Sequence, residues 1–360
     1  MRTAEIAVVG GGPAGMCAAL VAAKQGAKVT LFDNNKALGG QLIKQTHRFF
    51  GSEKEHAGTR GIQISNMLAE EISKNENIDL HLNATVISAY EDKVIAFEEN
   101  EKYAKVACKK IIVAVGAAEK MLPFVNNDLP GVYGAGAVQT LMNVHGVIPG
   151  QKVLMVGSGN IGLIVSYQLM QAGVKVEAII EGAPFIGGYK VHASKVRRMG
   201  VPILTSHTIL EACGEECVEG AIICQLDENW QQIPGTEKKL DVDTICLSVG
   251  LSPLTELLWQ VGCHMKYIPS LGGHVALRDE NLETSVSGFY VAGDVSGVEE
   301  ASAAMIEGKI AGLAAAASLG YDRDYTKQRN EYLEDIKALR SGPSGEKIRQ
   351  GLQILAEQGV

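Results

Sequence analysis

Residues 6–33 read IAVVGGGPAGMCAALVAAKQGAKVTLFD, and no other stretch constrains the fold as strongly. An apolar run predicts a strand. A glycine turn follows, then a small-residue helix, then a second apolar run that ends on an acid. Gly10, Gly12 and Gly15 hold the G-x-G-x-x-G positions. Gly10 permits a tight turn, Gly12 lets backbone approach a pyrophosphate, and Gly15 lets the helix pack closely on the strand. The first amides of the helix then face an anion. Asp33 stands where a carboxylate accepts hydrogen bonds from a ribose 2′-hydroxyl. The stretch predicts an α/β fold of Rossmann type with a dinucleotide at its first strand–helix turn.

The pattern recurs. Residues 152–181 read KVLMVGSGNIGLIVSYQLMQAGVKVEAIIE, with Gly157, Gly159 and Gly162 at the same spacing and Gly173 matching Gly26. The strict counterpart of Asp33 is Ile180, and the acid Glu181 comes one residue later, so a small bulge is needed to align it. Such a repeat predicts two dinucleotide-binding domains, and electron transfer between two nucleotides is the chemistry that calls for both. The other reading is a duplicate that binds nothing. A carboxylate at Glu181 favours a free 2′-hydroxyl, hence NAD(H) rather than NADP(H).

The rest of the chain sorts around these units. Residues 110–116 form an apolar run ending on Gly116, suited to return to the first sheet; residues 121–131, with Pro123 and Pro130, read as a linker. A late apolar run ends on Gly293-Asp294 before an alanine- and glycine-rich helix at 299–317. An acid there suits a polyol chain, and the helix start suits an anion. The expected domains are 1–120 with 255–320, then 121–254, then a helical tail at 321–360. The tail docks either on its own chain or on another subunit. The loop Leu38-Gly39-Gly40-Gln41 leads into Lys44, Gln45, Thr46, His47 and Arg48. That polar run either follows the rest of a dinucleotide or is a solvated loop. Lys44 and His47 are the candidates there for tuning a cofactor; no acid–base catalyst is assigned.

Composition narrows the partners. A net charge of −8 argues against nucleic acid or an anionic membrane as the main partner. No apolar run is long enough for insertion across a bilayer. The first strand begins too close to Met1 for a secretory leader. Seven scattered cysteines suggest reduced thiols and a cytoplasmic protein, with no metal site.

The two fingerprints, Val115-Gly116 and the late segment TSVSGFYVAGD at 284–294 together resemble the pyridine nucleotide–disulfide reductase superfamily of two-dinucleotide-domain flavoproteins. The resemblance covers roughly residues 6–320. It implies FAD on the first fingerprint and NAD(P)H on the second. It also implies that the FAD site comprises Gly10, Gly12, Pro13, Ala14, Gly15, Asp33, Gly40, Gln41, Val86, Gly116, Gly293 and Asp294, with Asp294 on the ribityl chain. The NAD site would comprise Gly157, Gly159, Asn160, Ile161, Gly162, Glu181 and Gly250. The Gly39-Gly40-Gln41 loop is similar to that of the thioredoxin-reductase branch, where the glutamine lies against FAD. No C-x-x-C follows Gly159, and no cysteine pair lies in the loop after Gly40. Disulfide reduction therefore lacks its carrier. The Arg-Gln-Ala of that branch is replaced by Glu300-Ala-Ser-Ala303.

A closer resemblance is to the FAD/NAD-binding alpha-type subunits of amine and amino-acid dehydrogenases, among them sarcosine oxidase, dye-linked proline dehydrogenase, opine oxidase and hydrogen cyanide synthase. It rests on Leu122-Pro123-Phe124, the GSGNIGL form of the second fingerprint, and Glu307-Gly-Lys-Ile-Ala-Gly312. It implies a partner redox subunit, either a second flavoprotein or an iron–sulfur protein, besides self-association. No cysteine follows Cys263, so any cluster is expected on another polypeptide. The expected function is electron transfer between NAD(H) and a second redox centre through FAD. The alternatives are a stand-alone NAD(P)H-dependent reductase acting on ferredoxin, a quinone, oxygen or a small organic substrate, and a nucleotide-binding subunit without turnover.

Overall fold

The computed structural model describes residues 2–49 and 51–357. The chain divides into two compact units, one formed by residues 1–118 and 252–360 and the other by residues 119–251. The second unit is thus inserted in the first.

The first unit opens with β1 (Arg2–Val9), α1 (Pro13–Gln25) and β2 (Val29–Phe32), followed by α2 (Gly61–Ser73), β3 (Ile78–His81), β4 (Ala84–Ala89), β5 (Val94–Glu99) and β6 (Lys102–Val113). Its seven-stranded sheet runs β3-β2-β1-β6-β5-β4, and the late strand Phe289–Val291 also pairs with β6. β1 lies parallel to both β2 and β6. β1 stands between β2, the next strand of the chain, and the later strand β6, so the strand order reverses at β1 and its C-terminal end is a topological switch point. Ile6 and Val8 are fully buried on one face and Ala7 on the other. Burying each of the larger side chains contributes about 1.5–3 kcal/mol.

The helix Ala301–Ala317 packs against α1. A Cβ on Gly308 would fall on the Ala14 carbonyl oxygen, and one on Gly312 on the Ala18 carbonyl oxygen. The small residues of the Glu307–Gly312 motif therefore let two backbones touch. This helix is buried nearly all round, which fits its run of alanines better than an amphipathic stripe would.

The second unit repeats the plan. Its five-stranded parallel sheet runs in the order Ile203–Thr205, Lys175–Glu181, Lys152–Val156, Thr244–Leu247, Val132–Gly134. A three-stranded antiparallel sheet joins His207–Cys213, Gly220–Gln225 and Lys238–Leu240.

Between β3 and β4 the chain turns at Asn83, whose φ of +49° ends the pleat. Some sequence expectations shift. The strand expected at 110 begins at Lys102, because its polar first half pairs with β5. The tail forms helices Tyr325–Leu339 and Glu346–Ala356, which group with the first unit. Ile336 joins the core around α1, and Leu355 packs with Ile268, Leu271 and Val275. Residues 358–360 of the expected tail lie outside the described residues. No helix among the described residues is long and apolar enough to cross a membrane.

Candidate functional site

The two glycine turns have the same geometry. Gly10 takes φ +105° and Gly157 φ +106°, the left-handed side that glycine permits. A Cβ on Gly10 would strike the Ala114 carbonyl, and one on Gly157 the Ser248 carbonyl. A Cβ on Gly15 would fall on the Gly10 oxygen, and one on Gly162 on the Gly157 oxygen. The middle glycines differ. A Cβ on Gly12 would meet only the Gly40 Cα, at 4.0 Å, and one on Gly159 would meet nothing within 4 Å. Protein packing thus explains the outer glycines but not Gly12 or Gly159. Each of these two is the residue capping its helix, and neither helix has a side-chain cap or an acid in its first turn. Open backbone before uncapped amides is the cradle that a dinucleotide diphosphate fills, so the residues present fit the expected cofactors.

The acids also correspond. Asp33 Oδ2 accepts from the Gly11 amide at 2.6 Å, and Glu181 Oε2 accepts from the Ser158 amide at 2.9 Å. Glu181 reaches this position because the pairing of strands Lys175–Glu181 and Lys152–Val156 shifts register between Val176 and Ala178. The extra residue, Glu177, supplies the one-residue displacement that separates Glu181 from the strict repeat. Asp33 also accepts from the Asn35 amide at 2.7 Å, and Glu181 from the Ala183 amide at 3.0 Å and the Ser158 hydroxyl at 2.7 Å. These bonds fix both carboxylates at the ends of their strands.

The repeat extends further than the fingerprint suggests. Gly39 and Gly187 each lie six positions after the acid, and each begins a Gly-Gly pair. The Gly39 amide donates to the Gly11 carbonyl at 2.8 Å, and the Gly188 amide to the Ser158 carbonyl at 2.8 Å. A Cβ on Gly40 would come within 2.9 Å of the Gly12 Cα, and one on Gly188 within 2.9 Å of the Gly159 carbonyl carbon. Both loops fold back over the start of their helix. The second Gly-Gly pair was legible as a constant spacing from the acid, but only once Glu181 rather than Ile180 was aligned with Asp33. Asn160 Oδ1 accepts from the Tyr189 amide at 2.8 Å and anchors this loop. Ile161, next on that helix, is 40% exposed. Gly250 takes φ +121°, and its carbonyl accepts from the Lys120 amide at 3.0 Å.

In the first unit the late motif comes to the fingerprint. Gly293 takes φ +78°, and a Cβ there would lie 2.9 Å from Ala14 Cβ. Asp294 is therefore delivered beside the start of α1. Burial pushes its carboxyl up to about 6, with Glu307 and Glu299 adding to the shift and the Glu299 amide opposing it. Gly116 takes φ +80° in open space, just beyond β6. Val86 lies on β4 opposite Phe97, at a register irregularity. Gln41 is exposed, while Lys44 ends a short 3-10 turn and His47 stacks on Phe49 with ring centroids 6.0 Å apart. These three share the loop after the Gly-Gly pair.

Sequence reasoning missed the charge network behind Asp294. Glu307, 3% exposed, accepts from the Gly293 amide at 2.9 Å and the Ser296 hydroxyl at 2.5 Å. Arg340 of the tail donates to Glu307 at 2.6 Å and to Glu299 at 2.7 Å. Burial opposes ionisation of Glu307, but Arg340 and Arg278 outweigh it and hold the carboxyl below its usual range. These partners are remote in sequence, and no local pattern signals them.

The thiols are not grouped for redox work. Cys17, Cys108, Cys224, Cys246 and Cys263 are buried, Cys213 is half-buried and Cys217 exposed, and all are free. Among the described residues no group of three His, Cys, Asp or Glu side chains is placed to hold a metal ion.

The chain is similar to several known proteins. An opine oxidase subunit of Agrobacterium tumefaciens is 30% identical over 339 residues, covering 88% of this chain and 66% of that protein. The HcnB subunit of hydrogen cyanide synthase from Pseudomonas protegens is 26% identical, covering 85% of this chain and 69% of that one. The alpha subunit of sarcosine oxidase from a Corynebacterium species is 25% identical, covering 89% of this chain but 33% of that protein. The chain thus spans between one third and about two thirds of these relatives. Thioredoxin reductase of T. acidophilum superposes with a TM-score of 0.72 at 21% identity, covering 89% of this chain and 99% of that one. L-Proline dehydrogenase of P. horikoshii gives 0.68 at 23%, covering 92% and 59%. FAD and a nicotinamide nucleotide are the cofactors that the shared family implies. Its sequence pattern runs through residues 4–308, and the chain belongs to the pyridine nucleotide-disulphide oxidoreductase family.

Proposed function

We propose that this chain is the FAD- and NAD(H)-binding subunit of an amine or amino-acid dehydrogenase-type complex, passing electrons between NAD(H) and a redox centre on a partner. The observation that carries the reading is the pair of open middle glycines, Gly12 and Gly159, each before an uncapped helix start and beside a fixed acid. FAD and NAD(H), when bound, supply the hydride and electron chemistry. The chain's own residues bind and orient. The Gly12 and Gly159 turns receive the two diphosphates. Asp33 and Glu181 take the adenosine riboses, and Asp294 takes the ribityl chain. Gln41 would lie against FAD, as the resemblance to the thioredoxin-reductase branch implies, with Lys44 and His47 in the same loop. The free, mostly buried cysteines support a route that does not use a disulfide. The relatives that are subunits of opine and sarcosine oxidases support the partner.

The test is anaerobic. NADH added to the FAD-loaded chain should bleach the flavin, and an artificial one-electron acceptor should restore its colour. Substrate oxidation should require a co-expressed partner. Flavin that stays oxidised under NADH would sink the reading. Steady turnover of a quinone or oxygen by the chain alone would favour the stand-alone reductase instead.

A further inference from the structure

Trp230 belongs to none of the motifs above. It sits in the connection between strands Gly220–Gln225 and Lys238–Leu240, and it is 62% exposed. Its φ is +62°, a region that bulky residues rarely adopt. The turn is held firmly. Asp227 Oδ1 accepts from the amides of Asn229 at 2.9 Å and Gln231 at 2.8 Å, and the Trp230 amide donates to the Asp227 carbonyl at 3.1 Å. Backbone strain of this kind persists where the surroundings over-determine it, and it clusters at ligand sites.

The strained turn places the indole against Gly182. A Cβ on Gly182 would lie 2.6 Å from the indole Cζ3 and 3.4 Å from Cη2. Gly182 directly follows Glu181. Two backbone bonds tie the Trp230 hairpin to the same turn: the Ser206 amide donates to the Ala183 carbonyl at 3.0 Å, and the Leu226 amide to the Ser206 carbonyl at 2.8 Å. An exposed, flat, apolar ring is thus clamped one residue from the acid of the second fingerprint. A ribose held by Glu181 through its 2′-hydroxyl carries its base on the adjacent carbon.

We propose that Trp230 is the stacking face for the adenine ring of the nucleotide bound by the second unit. It contributes affinity through the base, whereas Glu181 reads the ribose 2′ position. The inference rests on the reading of the second fingerprint as an NAD(H) site. Stacking of a base on an aromatic side chain is sequence-tolerant but requires the π face.

The chain has two tryptophans, Trp230 and Trp259, so Trp259→Phe leaves Trp230 as the sole indole reporter. In that background, ADP-ribose titrated into the FAD-loaded protein should quench Trp230 emission, while nicotinamide mononucleotide should not. Calorimetry should show Trp230→Ala raising the Kd for ADP-ribose about tenfold. Trp230→Phe should restore most of the affinity, and FAD content should stay constant throughout. An unchanged Kd in Trp230→Ala overturns the proposal and leaves the indole as a cover for Gly182, with the NAD(H) reading intact. Failure of ADP-ribose to bind the wild-type chain overturns both.

Discussion

Glu181 accepts hydrogen bonds from both the amide and the hydroxyl of Ser158, at 2.9 and 2.7 Å. Both fall on Oε2, and the Ala183 amide takes Oε1, which keeps lone-pair capacity for one further donor. A ribose hydroxyl matches that acceptor in chemistry, whereas a 2′-phosphate meets a fixed negative charge.

Glu181→Arg should therefore weaken NADH and improve NADPH in anaerobic flavin bleaching, with FAD content unchanged. Losing a charge-assisted hydrogen bond costs about 1.5–3 kcal/mol, roughly tenfold to a hundredfold in affinity. A wild type that already prefers NADPH would show that Glu181 does not face the ribose.

The glycines separate ligand effects from folding effects. Gly15→Ala puts a methyl group on the Gly10 carbonyl oxygen, so it should lower the unfolding midpoint of the FAD-free protein, by about 1–3 kcal/mol in stability. Gly12→Ala meets no protein atom closer than 4.0 Å. It should leave FAD-free stability within about 0.5 kcal/mol of wild type, yet purify with far less bound FAD. A Gly12 variant that stays yellow would mean that the diphosphate lies elsewhere.

The two fingerprints were readable because their constraints are local: a glycine spacing, a strand before, a helix after. Placing Glu181 needed more. The bulge at Glu177 is a property of strand pairing, and a single sequence signals it only through the equal six-residue spacings from Asp33 to Gly39 and from Glu181 to Gly187. The Arg340–Glu307–Glu299 network joins a tail helix to the Asp294 loop over more than thirty positions, which no periodicity encodes. Trp230 reads as an ordinary loop tryptophan until its backbone conformation and its contact with Gly182 are seen.

Thiol reactivity should follow exposure. Burial pushes the Cys17 and Cys108 thiols up to about 12 and raises those of Cys224, Cys246 and Cys263. Iodoacetamide at pH 8 should therefore label Cys217 first and Cys213 next, with the buried five reacting only in denaturant. NADH-driven flavin reduction should survive that labelling. Its stoichiometric loss on modification of one pair would reinstate a redox disulfide.

Arg340→Ala removes the counter-charge that Glu299 and Glu307 share. The variant leaves the largely buried Glu299 without its partner and Glu307 with Arg278 alone, at 3.8 Å, and breaking such a buried pair costs on the order of 3–5 kcal/mol. Urea unfolding should show that loss, and Arg340→Lys should recover part of it. An unchanged midpoint would mean that the tail helix adds nothing to the Asp294 loop.

Asp294 links pH to both stability and cofactor. Its folded carboxyl is pushed up to about 6 by burial, above the ordinary value of 3.8. A folded value above the unfolded one means that the folded chain binds the proton more tightly. For this group, stability is fully present below the unfolded value and is lost as pH rises through about 6. Ionising Asp294 in the FAD-free protein should thus cost roughly 2–3 kcal/mol between pH 4 and pH 7. Asp294→Asn cannot ionise, so it should be more stable than wild type at pH 7 and equal to it at pH 4. The same change should weaken FAD, because a ribityl hydroxyl donates more strongly to a carboxylate than to an amide. Urea unfolding of the FAD-free proteins at the two pH values, together with FAD titration at pH 7, reads both effects. Parallel pH profiles for wild type and variant would show that another group carries the titration. Unchanged FAD affinity would remove Asp294 from the ribityl site. The expected pattern is the opposite on both counts: a residue that destabilises the empty protein at neutral pH because its charge is kept for a ligand.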